Sequence, residues 1–289
     1  MDFKQFVSCR SQRDLKEFSN IKIGEKAKYL FIPGSYAELQ LLISRTGDLN
    51  KELIPLGGCS NILFGDVGDR ILIMDQKLPT SYQIKNNEVI VTANYKLGSF
   101  ISELQKHDLG GLEFLAGIPA HIGGAVFMNA GAFGSSISQF VNWVEMISSN
   151  GNVQKLPKRD IHFDYRNSTL NGFITKISFC LNKRSKKKLS SDLQNFIRER
   201  KKRHPANFPC LGSFFKNPEG NIAGKLIEEC GLKGKKFGDA VVSPKHANFV
   251  INVGNATFQN VMDLIKLCRQ TVLAQTGIDL KLEIKVIDR

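Results

Sequence analysis

Apolar and polar positions alternate along this chain in two distinct rhythms. Over residues 21–31 and 51–74, short runs rich in Ile, Leu and Val are punctuated by Gly, Asn and Asp, which predicts strands joined by turns. Residues 35–45, between those regions, carry their apolar side chains at helical spacing. Further on, residues 88–93 alternate as a strand does and 97–105 return to the helical period, while 143–149 and 174–181 predict more strands. The expected first domain is α+β with mixed sheets.

A polar stretch rich in Lys and Ser over 181–191 breaks the pattern and predicts a linker or domain boundary. A second unit is expected beyond it: a helix over 189–202, a Gly- and Pro-rich turn over 210–220, a helix over 222–230, a strand over 247–252, a helix over 257–276 and a terminal strand over 281–287. Thr257 stands where that long helix needs an N-cap, and Gly277 where it must stop. The expected division is an N-terminal extension or first helix over 1–20, one domain over 21–188 and another over 189–289.

With 42% hydrophobic and 23% charged residues among 289, the composition is that of a globular chain long enough for two cores. No run approaches the roughly 18 apolar residues of a membrane span. Residues 1–15 are dotted with Lys4, Arg10, Arg13 and Asp14, so a cytoplasmic, unprocessed protein without a membrane partner is expected. The six cysteines lie far apart, with no Cys-x-x-Cys pair and no neighbouring His at ligand spacing. They read as free thiols, buried or inert, and no metal is expected. The net charge of +13 raises an anionic partner: nucleic acid, membrane surface or phosphorylated small molecule. Much of the excess lies over 183–203, where a solvated linker and helix face explains it equally well.

Two segments suggest chemistry. In Pro55-Leu56-Gly57-Gly58-Cys59-Ser60-Asn61, two glycines follow a strand, and freed backbone N–H groups there can converge on a phosphate; a plain strand-ending turn is the alternative. This is neither a Walker loop nor a Gly-x-Gly-x-x-Gly turn. The stretch 110–134 holds seven glycines and few charges, which suits a backbone that approaches a large flat ligand, or else a tightly packed turn-rich core. His121 within it, taken singly, reads as a hydrogen-bonded loop histidine.

These two segments resemble the flavin-binding signature of UDP-N-acetylenolpyruvoylglucosamine reductases. Later motifs follow in that family's order: Tyr165-Arg166-Asn167-Ser168, Gly212-Ser213-Phe214-Phe215-Lys216-Asn217-Pro218, Ala223-Gly224-Lys225-Leu226-Ile227-Glu228, Val242-Ser243-Pro244-Lys245-His246-Ala247-Asn248-Phe249 and Asn252-Val253-Gly254-Asn255-Ala256-Thr257. The resemblance runs from about residue 21 to the C-terminus, and the compact connection from Arg166 to Gly212 is similar to the shorter subclass without an extra tyrosine loop.

The resemblance implies a vanillyl-alcohol-oxidase-type FAD-binding domain, a smaller α/β substrate-binding domain, and NADPH as co-substrate for reducing UDP-N-acetylglucosamine enolpyruvate. It implies Ser213 as proton donor with Arg166 and Glu283 as the other catalytic residues. Flavin contacts fall on Gly57, Gly58, Cys59, Ser60, Asn61, Gly117, Ile118, Pro119, Gly123, Gly124, Ala125, Asn129, Gly131 and Ala132, and substrate contacts on Tyr165, Arg200, Arg203, Lys216, Asn217 and Lys225. A monomer is expected. Four departures bear on flavin affinity: Glu25, Cys59 and Ala120 stand where the family has Gly, and Phe133 where Tyr is frequent. A Cβ at positive φ costs about 1 kcal/mol or more. The rivals are a same-fold flavin oxidase with another substrate, and a basic nucleic-acid-binding protein, which would need aromatic partners or a recognisable binding module beside the basic residues of 183–203.

Overall fold

The computed structural model describes residues 9–10, 12–46, 51–205 and 207–289. Two compact units emerge, and neither is one continuous stretch. The first comprises Lys28–Gly58 and Asp69–Arg198, joined by the strand Cys9–Arg10; the second comprises Arg13–Ala27, Cys59–Gly68 and Glu199–Arg289.

In the first unit, the strands Tyr29–Phe31, Ile71–Met74 and Leu53–Leu56 run parallel in one sheet, with Cys9–Arg10 antiparallel at its edge. All four residues of the central strand are buried, as expected of a parallel strand covered on both faces. Helix α1 (Tyr36–Thr46) presents Leu39, Leu42 and Ile43 to the core containing Phe31, Ile71 and Ile73. A second, antiparallel sheet orders Val153–Pro157, Val141–Ile147, Phe173–Cys180, Glu88–Thr92 and Tyr82–Lys85. Helix α2 (Leu97–Lys106) buries Leu97, Phe100, Ile101 and Leu104 in the same cluster as Val89, Val91, Ile177 and Phe179. The short α3 (Ile122–Phe127) joins that cluster through Ile122, Ala125 and Val126.

In the second unit, an antiparallel sheet of Lys236–Phe237, Ala240–Val242 and Val250–Asn252 shares a core with α6 (Phe258–Thr276), while α5 (Ala223–Glu229) adds Leu226 and Ile227. The buried Val261, Leu264, Ile265, Cys268 and Val272 of α6 fall on one helical face. Thr257 caps this helix, as its position foretold: its hydroxyl accepts the Asn260 N–H at 3.1 Å while the Asn260 side-chain Oδ1 accepts the Thr257 N–H at 3.1 Å. Gly277 ends it in the left-handed conformation, φ +74°.

Several expectations differ from the structure. The linker over 181–191 is structured: Asn182–Lys183 pairs antiparallel with Leu109–Gly110, and α4 (Lys186–Arg203) starts three residues before the expected 189. Lysine is a good helix former, Leu189 is fully buried, and Asp192 pairs with both Arg184 and Lys188 at 3.0 Å. The compact units divide inside α4, after Arg198, and two earlier segments, Arg13–Ala27 and Cys59–Gly68, belong to the second unit. Their reason is packing and pairing: Ile21 and Ile23 lie in the second core, and Ile62–Phe64 pairs in parallel with Lys285–Ile287. Residues 1–8 and 11 of the expected extension fall outside the described residues, whereas Leu15–Glu17 forms a 3-10 turn rather than part of a long helix. Finally, the terminal strand is only Lys285–Ile287, preceded by a lone bridge between Phe215 and Leu282, so Glu283 lies between the two pairings.

Among the described residues, Cys59, Cys180, Cys210, Cys230 and Cys268 are free thiols. Burial pushes the Cys268 thiol up to about 12, which makes it inert, whereas Cys180 is exposed and accepts a hydrogen bond from Asn87. Among the described residues, no helix is long and apolar enough to cross a membrane. Thr257→Ala should cost about 1 kcal/mol of stability. Truncating the fully buried Phe100 to Ala should cost about 3–5 kcal/mol, both read by chemical denaturation.

Candidate active site

The parallel strand Leu53–Leu56 delivers the chain into the Gly57-Gly58 turn. A Cβ on Gly57 would lie 3.6 Å from both the Asp75 carboxylate and the His121 side chain; one on Gly58 would lie 3.4 Å from the His121 backbone nitrogen. The glycines therefore leave backbone open beside a pair formed by the buried Asp75 carboxylate and the part-buried His121 imidazole, with His121 Nδ1 2.8 Å from Asp75 Oδ1. Gly117, φ +81°, needs glycine's freedom, whereas Ile118, Pro119 and Ala120 have ordinary φ. Neither Ala120 nor Glu25 occupies the left-handed region, so those departures carry no backbone strain, whereas Cys59 (φ +47°) and Phe133 (φ +53°) do occupy it.

In α3, Gly123 comes so near Ala93 that an added Cβ would sit 2.8 Å from the alanine Cβ, while Gly124 faces open space and Ala125 is buried. The Asn129 side chain is engaged at both ends, donating to the Asp164 carbonyl at 2.9 Å and accepting the Ser138 N–H at 3.3 Å. It ties the Gly-rich segment to the turn that carries Tyr165 and Arg166. At that turn Arg166 takes a left-handed backbone, φ +55°. Its guanidinium lies 5.0 Å from the Tyr165 ring centroid and donates to the Gly131 carbonyl at 2.7 Å. Gly131 pairs with Ser136, and Ala132 with Ser135. A Cβ on Gly131 would stand 2.9 Å from Arg166 Nη1, so this glycine makes room for the arginine.

The second unit holds the other sequence-derived candidates. Ser213, half-buried, follows Gly212 (φ +82°) into a segment clamped from two sides. On one side Phe214 N–H donates to the Asn248 carbonyl at 2.9 Å. The Asn248 amide takes the Phe215 N–H at 2.9 Å and donates to its carbonyl at 2.8 Å. On the other side Glu283 N–H donates to the Phe214 carbonyl at 2.8 Å, and Lys216 N–H to the Lys281 carbonyl at 2.8 Å. Asn61 joins them, its amide donating to the Glu283 carbonyl at 3.1 Å. Ser213, Glu283 and Asn61 thus share one hydrogen-bonded neighbourhood, with Ser60 next in chain. Asn217 accepts the Ala223 N–H at 3.0 Å at the start of α5. Lys225 is exposed and 3.6 Å from Glu229, Arg203 is exposed and 3.4 Å from Glu199, and Arg200 is half-buried in the last turns of α4. Arg166 belongs to the first unit.

Residues 27–157 match the FAD binding domain, and residues 204–287 match the C-terminal domain of UDP-N-acetylenolpyruvoylglucosamine reductase. A curated reductase of that name from Clostridium novyi is 36% identical over 276 residues, spanning 94% of this chain and 90% of its own. One from Caldicellulosiruptor bescii is 37% identical over 297 residues, 99% and 95% respectively. The chain belongs to the UDP-N-acetylenolpyruvoylglucosamine reductase family. The crystal structure of the reductase (MurB) from Thermus caldophilus is similar at a TM-score of 0.83 with 31% identity, covering 97% of this chain and all (100%) of that one. The fold class is thereby α+β, with an FAD-binding domain.

Within this reductase-family chain, three features escape single-residue reading. Asp75 could not be linked to His121 from sequence, because only folding brings a strand end to a loop. Asn248 stood inside a recognised motif, but its clamp on Phe215 is visible only in three dimensions. His204 and His246 pack against Phe249, with centroids 4.8 and 4.7 Å from its ring. Burial, then the positive charges of Arg200, Arg203 and Lys245 together with His246, holds His204 down to about 4. His246 is also lowered, chiefly by burial, and its Nδ1 accepts the Asn248 N–H at 3.2 Å.

Asn248→Ala should cost about 2–4 kcal/mol in denaturation, because two buried backbone groups of Phe215 lose partners. For His204, the unfolded chain takes up a proton near 6.5 while the folded one resists until about 4, so stability falls as pH drops through that window. Denaturation midpoints at pH 7.5 and 5 should show a larger acid loss in the wild type than in His204→Gln.

Proposed function

We propose that the protein reduces the enolpyruvyl double bond of UDP-N-acetylglucosamine enolpyruvate to give UDP-N-acetylmuramate, a peptidoglycan precursor, with FAD as cofactor and NADPH as electron donor. Near-full-length similarity to curated reductases supports the reaction, and the Gly57-Gly58 cradle is of the open-backbone kind that accepts an FAD diphosphate. Gly57, Gly58, Ser60 and Asn61, with the segments 117–119 and 123–125, would hold the cofactor. When bound, FAD relays a hydride from NADPH to the double bond.

The observation that carries the chemistry is the backbone pairing that sets Ser213 and Glu283 on neighbouring segments. In this reading Ser213 delivers the proton to the carbon beside the one that receives the hydride. A serine hydroxyl is a weak acid, so its alkoxide needs support from cations and donors on the same segment, for which Lys216 and Asn217 are placed in chain. Arg166 opposes the negative charge that builds on the substrate carboxylate, through a planar fork suited to it. Glu283, half-buried beside Ile284, offers a carboxyl to the same intermediate. Tyr165, Arg200, Arg203 and Lys225 are the proposed contacts to the substrate and its diphosphate. A cytoplasmic monomer, with no nucleic-acid or membrane partner, completes the proposal; UDP-sugar and NADPH are soluble metabolites that such an enzyme meets there.

Anaerobic stopped-flow of the FAD-loaded protein tests this reading. NADPH should bleach the flavin and the enolpyruvyl UDP-sugar should restore its colour. Ser213→Ala should leave the first phase near wild type and slow the second by roughly a hundredfold or more. A protein that takes up no FAD, or a Ser213→Ala variant with an unchanged second phase, would refute it.

A further inference from the structure

Neither Asp75 nor His121 has a part in the chemistry proposed above, yet the pair is among the most enclosed ionisable couples in the first unit, with side-chain exposures of 8% and 12%. A carboxylate this enclosed is stable only with a partner, and the imidazole supplies one. Two further contacts fix the carboxylate end: Asp75 N–H donates to the Leu56 carbonyl, the last residue of the strand before the glycines, and Leu78 N–H donates to the Asp75 carbonyl. His121 is fixed independently, by a bridge to Lys96 and by its place just before α3.

The ring spans both glycines. Its Nδ1 lies 3.9 Å from where a Cβ of Gly57 would stand, and its Cδ2 lies 3.5 Å from that of Gly58. Since Nε2 is bonded to Cδ2, the second ring nitrogen is carried along the Gly58 side, with Nδ1 already committed to Asp75. Ligands of open α/β sheets bind beyond the carboxyl ends of parallel strands, which is where this turn lies.

From this arrangement we infer that Asp75 and His121 form a buttressed cation within the cofactor cradle: Asp75 holds the ring through Nδ1, and protonated Nε2 donates to a diphosphate oxygen of FAD. Asp75 is the positioning residue and His121 the contact. The inference rests on the flavin reading above. Its chemical logic is charge balance: the doubly protonated ring sits between a buried carboxylate and a diphosphate, where a neutral donor would leave both anions uncompensated.

The test titrates deflavinated protein with FAD and with riboflavin, which lacks the diphosphate, following flavin fluorescence. His121→Asn keeps an amide donor near the Nδ1 position for Asp75 and removes Nε2. It should weaken FAD binding roughly tenfold or more while riboflavin stays within about twofold. His121→Gln, which keeps a donor near the Nε2 position, should retain more FAD affinity than His121→Asn. Asp75→Asn should weaken FAD selectively, and combined with His121→Asn should add less than about twofold, because the two act as one unit. Equal losses for both flavins would assign the pair a structural role and overturn the inference, as would unchanged FAD affinity in His121→Asn. Wild-type protein that binds neither flavin overturns the flavin reading itself.

Discussion

The second unit depends on the backbone hydrogen bonds made by its last residues. Residues 281–283 pair with the segment that carries Ser213, and Lys285–Ile287 pairs in parallel with Ile62–Phe64. One short run therefore fixes two other stretches of chain, distant from it in sequence, against itself. Peptide pairing suits this task because each bond has a fixed direction and length, so a candidate acid and a candidate carboxylate are set by main-chain geometry rather than by flexible side chains. Asn248 completes the frame from the opposite side, and His246 supports Asn248 in turn.

Much of this was legible in the sequence, and the reasons are physical. The helices α1, α2 and α6 and the strands around 88–93, 143–149 and 174–181 were marked by period and punctuation, because each buries one face or both. Thr257 and Gly277 were readable because capping is a local matter of side-chain reach and φ. The family was legible from motifs in order. What composition concealed was the structure of 181–191: a run of lysines resembles a linker until Asp192 and the buried Leu189 are placed against it.

The interleaved units were not legible, since nothing in a segment's own periodicity says which core it will join. Ile21 and Ile23 have the same apolar signature as residues of the first core but pack into the second. The same limit applied to the candidate site. Residue types announced a glycine cradle and a serine turn, but the coupling of Asp75 to His121 and the enclosure of His204 arise only from long-range packing. Departures from the family pattern also resolved unequally: at Ala120 the backbone does not require glycine, whereas Cys59 holds a conformation that glycine adopts more readily.

The parallel pairing of Ile62–Phe64 with the last strand has a bearing on biosynthesis. A ribosome makes the chain from its N-terminus, so Ile62–Phe64 waits without its strand partner until residues 285–287 have been made. Such sequence-distant pairing is slow to form and leaves an adhesive edge in the nascent state. Completion of this pairing therefore depends on residues made long after the first of its two strands, and loss of 285–287 would leave Ile62–Phe64 without its strand partner.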